Sequence, residues 1–114
     1  MSLQARIQDL STEIYEEVVA NRRHIHAHPE LSFHEEKTAA FVKKKLEEIG
    51  IAVTPNIADN GLVGIIEGSK EGGDPDRVLA LRADMDALPI IEQNEVSYKS
   101  QNPGIMHACG HDVH

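Results

Sequence analysis

The sequence is 114 residues long, 40% hydrophobic and 26% charged, with a net charge of −8. That length limits it to one domain with a modest core, and the composition is ordinary for a globular protein. The acidic balance argues against nucleic acid as a partner, and no apolar run approaches the ~18 residues of a membrane span.

One cysteine, Cys109, cannot form an intramolecular disulfide, which points to a reducing compartment. The N-terminal residues are polar and amphipathic with no apolar signal region, so a cytoplasmic location is expected.

Apolar residues at Ile7, Leu10, Ile14 and Val18 recur at helical spacing and predict a long amphipathic helix over 4–26. Arg22 and Arg23 near its end suit the negative pole of the helix dipole. His24, His26 and His28 follow at alternate positions and do not share a helix face, which disfavours them as a joint metal site. They are expected at a helix end, some packing on the core or nearing the cleft. Pro29 marks the break. Ser32-Phe33-His34-Glu35 has the spacing of a capping box, and a second helix is predicted from there to about Ile49. Thr38, Val42, Leu46 and Ile49 form its expected buried stripe. Gly50 followed by Ile51 is the pattern of a Schellman ending.

Strands are predicted next. Residues 51–54 are short and β-branched, and Pro55 confines them to an end or an edge. Asn60-Gly61 signals a turn before a strand at Leu62–Glu67. The run Val78-Leu79-Ala80-Leu81 within 77–83 is consecutively apolar and predicts a central strand buried on both faces. The fold class is therefore α/β, two helices then a mixed sheet. The 77–83 strand would deliver Asp84 and Asp86 at its carboxyl end, where ligands of open α/β sheets bind. The two are either cleft carboxylates or strand-end turn residues. Residues 87–106 have little periodicity and predict a long loop, with a short strand around Glu95–Tyr98.

His107-Ala108-Cys109-Gly110-His111-Asp112-Val113-His114 carries the chemistry. A thiolate and an imidazole are good ligands for Zn²⁺ and similar ions, and Gly110 between them permits a tight turn. Asp112 is placed to accept a hydrogen bond from a ligating imidazole. A catalytic zinc takes about three protein ligands, so these residues read either as half a metal site or as a histidine-rich tail binding metal loosely or not at all.

The same eight residues resemble the His-Ala-Cys-Gly-His-Asp-x-His signature of the M20 metallopeptidase family, in the branch of amidohydrolases that cleave N-acyl amino acids, hippurate and auxin conjugates. His26-Ala27-His28-Pro29-Glu30-Leu31-Ser32 and Arg82-Ala83-Asp84-Met85-Asp86-Ala87-Leu88-Pro89 agree in order and spacing. The resemblance implies that residues 1–114 are the N-terminal part of a zinc-peptidase-like catalytic domain, without the dimerisation domain and C-terminal catalytic segment. It implies two divalent metal ions, Zn or Mn with Co or Ni as alternatives, bound through Cys109 and His111, with Cys109 able to bridge as thiolate. Asp86 becomes a catalytic-site residue just outside the metal shell. Related branches carry a metal-binding histidine where this chain has Asp84, and His111 is the candidate to supply that ligand. The implied reaction is amide hydrolysis of a small N-acyl amino acid by metal-activated water, in a homodimeric parent. The base and remaining ligands lie downstream in the family, so these 114 residues are expected to be inactive alone. The alternative is a non-catalytic truncated product that self-associates through uncovered faces and binds metal weakly. A redox thiol role lacks a Cys-x-x-Cys partner.

Overall fold

A computed structural model describes residues 1–114. Helix α1 spans Leu3–Glu13 and α2 spans Tyr15–Ala27, so the single long helix expected over 4–26 is two helices. The break at Ile14 follows two hydroxyl side chains that bond back into the preceding turn, Ser11 Oγ to the Ile7 carbonyl (2.8 Å) and Thr12 Oγ1 to the Gln8 carbonyl (2.9 Å). Such back-bonding bends helices. The α1 stripe is also not buried: Ile7, Leu10 and Ile14 all face solvent.

Helix α3 spans Glu36–Glu48. The Ser32–Glu35 capping box does not form, because Ser32 Oγ donates instead to Asp86 Oδ2. The Glu30 carboxylate takes the capping role, accepting from the Lys37 and Thr38 backbone N–H groups (3.1 and 2.6 Å) and from Thr38 Oγ1 (2.7 Å). Its negative charge sits at the positive end of the helix dipole. The C-terminus closes as expected. Gly50 has φ +85°, its N–H reaches the Glu47 carbonyl (3.0 Å) and the Ile51 N–H reaches the Leu46 carbonyl (3.0 Å). That is the Schellman pattern of bonds.

Strands β1 (Val53–Ile57) and β2 (Gly61–Gly64) form an antiparallel pair, with Val53 opposite Gly64 and Ile57 opposite Gly61. The register slips at Pro55 and Asn56, where proline has no N–H to give the ladder and Asn56 has a positive φ. The class is α/β, with three helices and this antiparallel pair rather than two helices and a mixed sheet. The expected central strand at 77–83 is unpaired, and Val78, Leu79 and Leu81 are 83–91% exposed. Neighbouring strands are what would bury such a run, and the two-stranded sheet does not extend to it.

The 87–106 segment is tied down despite having no predicted periodicity. Leu88 and Met106 exchange backbone hydrogen bonds (2.9 and 3.0 Å), closing it on itself. Ala87 N–H bonds the Glu30 carbonyl and Gln101 N–H the Ala27 carbonyl (both 2.8 Å), fixing it to the end of α2. Glu95–Tyr98 is coil and turn, not strand. Ala27, Pro29 and Ala87 are buried at this junction, next to the chemistry-bearing side chains.

Candidate metal centre

Residues 110–113 form a turn, closed by Val113 N–H to the Gly110 carbonyl (3.0 Å). Gly110 has φ +108°, the left-handed region expected of a glycine there. The turn presents the imidazole of His111 to Asp86: His111 Nδ1 lies 2.8 Å from Asp86 Oδ1 and 3.1 Å from the Asp86 carbonyl. With Nδ1–H donating to these oxygens, the lone pair of Nε2 is left for a cation, the arrangement by which a carboxylate sets the tautomer of a ligating histidine. Asp86 is held in turn by Ser32 Oγ (2.5 Å). The electrostatics are reciprocal. The Asp86 hydrogen bond raises His111 above its ordinary value, and Ser32 first, then His111, lowers the Asp86 carboxyl.

Asp84, on the same segment, faces His114, with Asp84 Oδ2 3.7 Å from His114 Nδ1. Arg82 donates to the other oxygen of Asp84 (3.0 Å) and is the main cause of its lowered pKa. One donor atom each from Asp84, His111 and His114 lie within 4.8 Å of one another. Cys109 is exposed and stands outside this group. Of the residues singled out from sequence, His111 and Asp86 are thus in direct contact, Asp84 lies beside them, and Cys109 is on the rim of the turn. The clustered donor set of two imidazoles and a carboxylate fits a divalent transition-metal ion.

Asp112 does not serve His111. It is 4% exposed and accepts from Arg22 Nε (3.0 Å) and His26 Nδ1 (2.8 Å), both on α2. The other ring nitrogen of His26 meets Glu92 Oε1, while Glu92 Oε2 accepts the Ser100 N–H (2.7 Å). Burial works against the charge of Glu92, but these bonds prevail and its pKa is lowered. Every polar side chain of this cluster thus has a hydrogen-bond partner, which makes so polar a group tolerable inside the fold. Tyr98 packs edge-on to His26, with Arg23 over its ring. The sequence pattern put His24, His26 and His28 at a helix end, some on the core or near the cleft, but did not reveal this network, because Glu92 and Asp112 are distant in sequence and lie in segments without periodicity. His107 is also buried. Neither of its ring nitrogens has a protein partner, and burial lowers its pKa.

Known proteins resemble this chain over nearly its whole length. The pattern of peptidase family M20/M25/M40 matches residues 80–114. An N-acyl-L-amino acid amidohydrolase from Geobacillus stearothermophilus is 49% identical over 95% of this chain and 28% of its own length. An N-acetyl-L-cysteine deacetylase from Bacillus subtilis is 47% identical over 93% of this chain and 24% of its own. Among solved structures, the YXEP protein of Bacillus subtilis, a dinuclear metal-binding peptidase of the M20 family, superposes with a TM-score of 0.79 at 39% identity. That match covers 89% of this chain and 27% of YXEP. The chain therefore spans about a quarter of the length of the proteins it matches.

Proposed function

We infer from this chain's similarity to the M20 peptidase family that its residues belong to a metal-dependent amidohydrolase acting on N-acyl amino acids. The observation that carries the reading is the His111–Asp86 pair: an imidazole oriented by a carboxylate at 2.8 Å, one residue from a glycine and two from an exposed thiol. Cys109 and His111 would hold two divalent metal ions, Zn or Mn before Co or Ni, with Asp86 fixing the His111 ring. The chemistry such ions supply is Lewis-acid polarisation of a carbonyl and acidification of water. The chain's own residues do the positioning. Ser32 aligns Asp86, Asp86 keeps the His111 proton on Nδ1, and Gly110, with its positive φ, makes the turn that carries His111.

Two relatives whose names specify N-acyl-L-amino acids and N-acetyl-L-cysteine support this substrate class. Residues 1–114 are read as the N-terminal portion of the catalytic domain of a homodimeric, cytoplasmic enzyme. No helix is long and apolar enough to cross a membrane. On this reading the 114 residues do not turn over substrate alone, since the base and further ligands that the family resemblance implies are not among them. The test is metal content after dialysis against Zn²⁺ or Mn²⁺, beside Cys109→Ala and His111→Ala, with N-acetyl amino acid hydrolysis assayed in parallel. Metal lost in both variants and no hydrolysis by the 114-residue chain are expected. Metal indifferent to both substitutions would overturn the ligand assignment, and robust turnover abolished by Cys109→Ala would overturn the inactivity. The exposed apolar residues Ile65, Ile66, Val78, Leu79 and Leu81 favour a second reading, a non-catalytic product that self-associates and binds metal weakly.

A further inference from the structure

The 107–114 segment has few holds on the rest of the chain. Ala108, Cys109 and Val113 are exposed, a Cβ at Gly110 would meet nothing within 4 Å, and the buried His107 ring makes no hydrogen bond. Side-chain hydrogen bonds arise only at His111, Asp112 and the distal His114. Asp112 is the buried one of these, and its neighbour along the backbone is His111. The two share the backbone of one tight turn, so what holds Asp112 also restricts where the His111 ring is carried.

We propose that Arg22 and His26 of α2, with Glu92 behind His26, are positioning residues for His111. They fix the Asp112 carboxylate, and the turn it anchors delivers the His111 ring to Asp86. The geometry has the character of a clamp with two arms. Arg22 Nε and His26 Nδ1 converge on the same oxygen, Asp112 Oδ2, at 3.0 and 2.8 Å. His26 is itself prevented from rotating because its other nitrogen is held by Glu92, and Glu92 is held by the Ser100 backbone. The clamp joins α2, the 87–106 segment and the turn. Its consequence for metal affinity rests on the reading above that His111 is a ligand. Its consequence for the His111 ring does not.

The ring is therefore read first, without metal. Long-range hydrogen–nitrogen NMR of the histidine rings of the 114-residue chain, at one mildly alkaline pH, reports the tautomer of each. In the unaltered chain His111 is expected as the Nδ1–H form bonded to Asp86. In Arg22→Met and in His26→Gln it is expected to move toward the mixture of free histidine, while the α3 amides, which the clamp does not touch, keep their positions. Arg22→Lys restores a cation and is expected to return His111 most of the way. Arg22 is partly exposed, so its variants test the clamp even if His26→Gln does not fold. A His111 signature unchanged in Arg22→Met would overturn the proposal, as would a change that Arg22→Lys fails to reverse at all. Co²⁺ titration then separates the two readings. Binding weakened about tenfold or more by Arg22→Met, as for loss of a supporting partner, is expected. Co²⁺ binding indifferent to both His111→Ala and Cys109→Ala would sink the metal assignment alone and leave the ring result standing.

Discussion

The Asp86–His111 pair has a pH signature whose sign is fixed by the two shifts. His111 is raised by its bond to Asp86, so its share of stability is present below the unfolded histidine value of about 6.5 and is lost as pH rises through its raised folded value. Asp86 is lowered by Ser32 and then His111, so its share is present above the unfolded carboxylate value of about 3.9 and is lost as pH falls through its lowered folded value. The pair therefore contributes most between roughly pH 4 and 6.5. Asp86→Asn is expected to lower the His111 titration midpoint in NMR and to reduce stability more in that window than above neutrality. An unchanged midpoint would show that the two side chains are not coupled in solution. The buried cluster behaves differently. His26→Leu leaves two buried carboxylates short of a partner, and breaking a buried pair in this way costs about 3–5 kcal/mol. Urea denaturation should show a loss on that scale or outright unfolding, and a loss under about 1 kcal/mol would mean the network is exposed to water.

At the scale of elements, α3 separates a motif from the bonds actually made. Ser32 and Glu35 have the spacing of a capping box, yet Ser32 is drawn to Asp86 and the cap comes from Glu30. Glu30→Ala should therefore destabilise the chain by about 1–2 kcal/mol, the usual cost of a lost cap. Ser32→Ala should leave α3 intact and act on the centre instead, raising the Asp86 titration midpoint. Circular dichroism melts of the two variants distinguish the assignments, and equal fraying of α3 in both would contradict this one. Gly50 is the complementary case. Its positive φ disfavours any residue with a Cβ, and Gly50→Ala should cost about 1 kcal/mol although nothing lies within 4 Å of the added methyl.

The whole molecule is loosely filled. Only 8 of 114 residues are buried, and most of those are polar members of the centre and its support rather than an apolar core. The radius of gyration is 16.5 Å, against about 13 Å for a compact domain of this length. A groove between the helices and residues 81–85, lined by Ile25, Phe41, Val42, Leu62 and Leu81, opens where the sequence predicts packed interior. Uncovered apolar surface of this kind drives association. The purified 114-residue chain should self-associate with rising concentration in sedimentation velocity, and Leu79→Lys with Leu81→Lys should shift it toward monomer without lowering its melting temperature. A monomer at all concentrations would show that these residues find cover within the chain.

Legibility followed the range of the interactions. The sequence by itself determined the helix endings at Pro29 and Gly50, the Asn60-Gly61 turn and the Gly110 turn, because each depends on the backbone preferences of one or two residues. It also singled out Cys109, His111 and Asp86 as candidate site residues, through three motifs in register that carry a pattern local composition does not. Tertiary structure decided what partners them. Asp86 rather than Asp112 orients His111, Glu30 rather than Ser32 caps α3, and His26 bridges Asp112 and Glu92 across 86 and 66 residues of sequence. Hydrogen bonds over such separations leave no periodicity to read. The one apolar run that pointed to a buried strand, 78–81, stays exposed because burial is a property of neighbours, and a strand's own side chains cannot supply them.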